Sequence, residues 1–205
     1  MMKGDLSMTA HVNKIVSQCF YSLLKIKSIY RSLSTDSTIT LVTSLICFRI
    51  DHCNTIFAGV PNRTIDRLEN VLHAAARITT GVRNYDHITS TLRDKLHWLP
   101  VTQRITFKLC LTVYKALHCM TPYIAEFCHP VVATHYQSQL CSSTCGDLLV
   151  PRTCLELDKR ALTVADSTIW NNVPLSVRLA PFITTFKTAL KMHLFSATYG
   201  ASKCQ

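Results

Sequence analysis

Three sets of side chains in this sequence could do chemistry, and their spacing tells them apart. Phosphoryl transfer through two metal ions needs carboxylates held a few ångströms apart. The nine aspartates instead stand singly at 5, 36, 51, 66, 86, 94, 147, 158 and 166. Arg93-Asp94-Lys95 reads as a solvated helix face. No phosphate-binding Gly-x-x-x-x-Gly-Lys loop, Gly-x-Ser-x-Gly elbow, His-Glu-x-x-His pair or Gly-x-Gly-x-x-Gly turn occurs. Cys128, His129, His135, Cys141, Cys145 and Cys154 form a second set. Four of them could enclose zinc, but no tight Cys-x-x-Cys pair is present, so free thiols in a loop are the plainer reading. Nothing orders the other His, Cys and Ser residues into a nucleophile and its base. The expectation is no catalytic residue, no metal site and no cofactor.

Basic side chains are the third set and the strongest signal. Arg63, Arg67 and Arg77, with Asn70 and His73, fall on one side of a helical pattern. Arg104, Lys108 and Lys115 line up in a second, narrow stripe. Rows of donors like these can follow a phosphate backbone. The same spacing also serves a merely solvated bundle face. Trp98 and Trp170 could stack on bases, although their neighbours Leu96, Leu99, Ile169 and Val173 favour core packing.

Composition sets the frame for these faces. The 205 residues include 22 Lys and Arg against 12 Asp and Glu, a net charge of +10. The basic excess lies at both ends: 6 basic and 2 acidic groups over 1–50, and 7 and 3 over 151–205. That balance fits a polyanionic partner. A hydrophobic share of 48% with 17% charged residues excludes an intrinsically disordered chain. Only 5 Gly and 7 Pro exclude collagen-like and low-complexity readings. No apolar run reaches the length of about 18 residues that a membrane span needs, and no signal-peptide core follows Lys3-Gly4-Asp5. The expected setting is intracellular, in cytoplasm or nucleus, without a membrane. Ten cysteines in such a chain are not a disulfide framework. Cys19 and Cys110 read as small core hydrophobes.

Helices must position the basic rows. Val12, Ile15, Val16, Cys19, Leu23, Ile26, Tyr30 and Leu33 predict a first amphipathic helix, with Lys14 and Lys25 opposite the stripe and Lys27 and Arg31 flanking it. Thr35 or Asp36 is placed to cap a second helix, roughly Ser37 to Ala58, apolar on most sides and so expected at a bundle centre. A third runs from about Arg63 to Thr80 and ends at Gly81. Further helices are predicted near Ile88–Leu96, Val101–His118, Thr121–Cys128, Lys159–Asn171 and Pro181–Phe195, and a short strand at Leu148–Val150. The expected fold is mainly α. Its expected parts are a three-helix bundle over 1–82, a helical continuation over 83–130, an irregular loop over 131–158, C-terminal helices over 159–196 and a tail over 197–205.

Several segments also resemble one known family. Leu96-His97-Trp98-Leu99-Pro100-Val101, running on through Arg104-Ile105 and Phe107-Lys108, resembles the C-terminal part of the reverse transcriptases of jockey-like, LINE-type non-LTR retrotransposons. The family's Arg-x-Asp-Tyr-Cys-Asn and Gly-x-Pro stand here as Arg49-Ile50-Asp51-His52-Cys53-Asn54 and Gly59-Val60-Pro61. Its Asn-Ala-Ala-Ala-Arg is His73 to Arg77, and Tyr-Lys-Ala-Leu-His is intact at Tyr114 to His118. Val150-Pro151-Arg152-Thr153, Trp170-Asn171-x-x-Pro174 and Phe186-Lys187-x-x-Leu190-Lys191 follow in order. Asp5-Leu6-Ser7-Met8 and His11 are similar to the stretch after the last palm strand.

The resemblance implies the thumb-like and post-thumb region of an RNA-directed DNA polymerase. The palm with its catalytic carboxylates, and the Mg that they hold, would lie N-terminal to this region. RNA or an RNA–DNA duplex, and the palm itself, are the implied partners. A helical protein-interaction module and an inert relic of a decayed element are the alternatives. The family usually has Tyr at His52, Asn at His73, Arg at Cys141 and Cys154, Gly at Cys119 and Asp158, and Pro at Ser167. These departures are expected from decay of an old copy.

Overall fold

The computed structural model describes residues 8–52, 54–83, 85–131, 146–152 and 162–200. Among them the fold is mainly α, with no β-sheet. The chain divides into two compact units, 1–104 and 105–205.

The first unit opens with α1, Thr9–Ile29, which buries Val12, Ile15, Cys19, Leu23 and Ile26. These residues recur every three or four positions, so one stripe faces inward. The cap of α2, Thr35–Val42, is Ser34, one residue before the two candidates: its hydroxyl accepts from the Ser37 backbone N–H at 3.2 Å. The rod continues through a π segment, Thr43–Cys47, into α3, Phe48–Asp51. The expected helix to Ala58 stops there. His52 turns to extended backbone, and a 3-10 turn, Asn54–Phe57, follows. The expected central position is also corrected, because Leu45, Phe48 and Ile56 are 41%, 70% and 43% exposed. Apolar residues on every side of a helix cannot all face one core, and here the surplus meets solvent.

Helix α4, Asn62–Thr80, buries Ile65, Leu68, Val71, Leu72, Ala75 and Ala76, and ends as expected on Gly81 at φ 69°. It runs parallel to α1. Asn13 meets Arg67 at one end, and the Tyr30 hydroxyl lies 3.9 Å from where a Gly81 Cβ would sit at the other. A short α5, Ile88–Ser90, passes into a π segment, Thr91–Leu96, which closes on His97 with φ 51°. Val82, Leu96 and Trp98 pack there against Ala76, Ile88 and Leu92.

Helix α6 is Val101–Leu117, and the division between the units falls inside it. In the second unit Tyr114 is fully buried. Its ring stacks on Phe186, with centroids 4.2 Å apart, and its hydroxyl donates to the Ala180 carbonyl at 2.8 Å. Short α7 is Pro122–Ala125; α8 is Leu162–Asn171, α9 is Leu175–Arg178 and α10 is Ile183–Tyr199. The expected strand at Leu148–Val150 is instead one antiparallel bridge between Pro130 and Leu148. The backbone of Leu148 is satisfied by a side chain: Asn171 accepts from its N–H and donates to its carbonyl, both at 2.9 Å. Trp170 is buried, and its Nε1 donates to the Gly146 carbonyl at 3.2 Å.

Candidate nucleic-acid interface

The basic row of α4 is split by its neighbours. Arg63 and Asn70 are exposed. Arg67 is also exposed, and its guanidinium donates to the Asn13 side-chain oxygen of α1. His73 is half-buried and turns to Glu69, with Nε2 3.4 Å from Oε1. The other Glu69 oxygen accepts the Val101 N–H at 2.7 Å. A carboxylate at the start of α6 is favourable, because unpaired N–H groups and the helix dipole both meet a negative charge there. His73 therefore belongs to the junction with α6 more than to an open face.

Arg77 is placed differently. It is half-buried beside a cleft of about 210 Å³ between α1 and α4. Phe20, Leu23, Leu24, Ala74 and Ile78 make the apolar lining, and Lys27 supplies a second cation. Among the described residues no carboxylate lines it. The Arg77 Nε is buried without a hydrogen-bond partner among the described residues. The sequence pattern placed Lys27 only as a flank of the α1 stripe and passed over Asn13, Phe20 and Leu24. The available signal was their recurrence at helical steps beside that stripe.

Arg104 is committed within the first unit. Its Nη1 donates to Asp51 Oδ2 at 2.9 Å and its Nε to the Leu99 carbonyl at 2.8 Å. The side chain is 14% exposed, and the guanidinium lies 6.0 Å from the Trp98 ring centroid. An arginine with these contacts is a structural clamp, so its place in the phosphate-binding row is not favoured. Lys108 is exposed and Lys115 half-buried, both in the second unit.

A larger cleft of about 750 Å³ lies beside that clamp, between the π segment and Trp98. Cys47 lines it, but burial pushes the Cys47 thiol up to about 11 against the pull of Arg104. A thiol that stays protonated at neutral pH is a poor nucleophile. Burial raises Cys110 to about 12, and raises Cys19 and Cys128 as well. Cys19 and Cys110 are fully buried, as small core hydrophobes. Arg93 clamps the exposed Asp94 carboxylate with two hydrogen bonds, 2.7 and 3.0 Å, and holds it below the usual carboxylate range.

Among the described residues no three His, Cys, Asp or Glu side chains gather as a metal site. His135, Cys141, Cys145 and Cys154 lie outside the described residues. No described helix is long and apolar enough to cross a membrane. No protein-family model, curated protein or solved structure matches the chain.

Proposed function

We propose that this chain corresponds to the non-catalytic C-terminal region of a retrotransposon-type RNA-directed DNA polymerase, and that its residual activity is sequence-tolerant binding of RNA or DNA. The observation that carries the binding is the side of the α1–α4 pair. Arg63, Arg67 and Asn70 are exposed there, and Arg77 and Lys27 flank a cleft that no carboxylate among the described residues lines. Arginine rows of this kind neutralise phosphates without reading bases.

One backbone feature supports the family origin. Cys119 has φ 56°, a left-handed conformation that glycine adopts without strain. The resembled family carries glycine at that position. Ser167 fits the resemblance less well, because a proline inside α8 would remove an internal hydrogen bond.

The test is binding of the 205-residue chain to a labelled RNA–DNA primer-template at about 50 and about 200 mM salt. A fall of roughly a hundredfold is expected, reflecting several phosphate contacts. Replacing Arg63, Arg67 and Arg77 together with Gln should weaken binding and flatten its salt dependence. Unchanged binding by a triple variant of normal helical content rules out this face.

A second reading, a helical protein-interaction module, is favoured by Tyr21, Leu24 and Ile29, which are apolar and exposed along α1. Concentration-dependent self-association on size exclusion, without nucleic-acid binding, would support it.

A further inference from the structure

The α1–α4 cleft combines three features that a bare phosphate-binding face does not need. Its floor is apolar, and Phe20, 40% exposed, contributes an aromatic ring to it. Its volume is about 210 Å³, room for one planar base. Arg77 and Lys27 line it together with that ring. Arg67 lies about 15 Å along α4 from Arg77, and Arg63 about 6 Å further on, at the helical rise per residue. A polyanion following this row is repeatedly neutralised, and one of its bases can leave the strand and enter the cleft.

We infer that the cleft takes a single unpaired nucleobase, so that the α1–α4 side prefers single-stranded nucleic acid over duplex. Phe20 and Leu24 cover the base, while Arg77 and Lys27 hold the adjoining phosphate. A paired base cannot enter without being unstacked, which costs free energy that a flexible strand does not spend. Aromatic stacking is sequence-tolerant, because every base presents a π-face. The inference rests on the nucleic-acid reading above. An acidic peptide with one apolar anchor is the competing occupant. The spacing of the arginines favours a partner whose negative charges repeat along its length.

The test uses the 205-residue chain with a uridine strand of about 12 nucleotides carrying one 2-aminopurine, and with a blunt duplex of the same length. The single strand should bind about tenfold more tightly than the duplex, and 2-aminopurine fluorescence should change on binding. Phe20→Ala should abolish the preference and the fluorescence change at unchanged helical content. Phe20→Tyr, which keeps the ring, should retain both. Equal affinity for strand and duplex, or a Phe20→Ala protein that keeps the preference, overturns the base-binding cleft and leaves the electrostatic reading standing. Failure of either nucleic acid to bind a folded sample at low salt overturns both.

Discussion

Arg104 donates to Asp51, 53 positions earlier, at 2.9 Å, and so ties the end of α3 to the start of α6. The same guanidinium satisfies the Leu99 carbonyl at 2.8 Å. A charge-assisted pair is worth more than a neutral hydrogen bond, and removing one partner costs more than the pair contributes. Half-exposure of Asp51 moderates that cost.

Arg104→Met should therefore destabilise the chain by about 2 kcal/mol, as measured by urea unfolding. Asp51→Asn should cost less, because an amide oxygen can still accept from Arg104. Adding Asp51→Asn to Arg104→Met should cost little more than Arg104→Met alone, since the two residues act as a pair.

Cys119 occupies left-handed backbone at φ 56°. A side chain there pays a steric penalty that glycine does not. Cys119→Gly should raise stability by roughly 1 kcal/mol, seen as a higher urea midpoint with an unchanged slope. A lower midpoint would show that the Cys119 side chain contributes more than its backbone strain.

Asp166 is 2% exposed, and neither carboxylate oxygen has a partner among the described residues. Burial pushes its pKa up to about 7. Between the unfolded value near 3.8 and about 7, the folded chain holds a proton that the unfolded chain has lost. Stability should therefore fall as pH rises through that window and stay low above it. The total effect is on the order of 4 kcal/mol. Asp166→Asn should remove the dependence and be the more stable form at neutral to basic pH. Urea midpoints of both proteins across the window measure this.

Asn171 takes the place of a partner strand for Leu148, with two hydrogen bonds of 2.9 Å. Asn171→Ala would leave the Leu148 N–H and carbonyl without these partners. The expected loss is about 2 kcal/mol, together with faster amide exchange at Leu148. An unchanged exchange rate would mean that another group satisfies that backbone.

Much of the helical framework was legible because side-chain periodicity reports local geometry. The stripe from Val12 to Ile26 and the end of α4 on Gly81 follow from spacing and from one residue's conformational freedom. The sequence by itself also determined the mainly α class, the basic charge and the burial of Cys19 and Cys110. Where one helix carries more apolar residues than a core can accept, periodicity cannot say which stay outside. Phe48 and Leu45 were settled only by packing. The candidate site divided the same way. Helical spacing grouped Arg63, Arg67, Asn70, His73 and Arg77 on one side of α4, but only the tertiary structure separated them. It tied Arg67 to Asn13, turned His73 to Glu69 and set Arg77 beside Phe20 and Lys27. It also took Arg104 out of its stripe and paired it with Asp51. Glu69 stands one helical turn before His73, but the other partners lie dozens of residues apart, and only the path of the folded chain brings their side chains together.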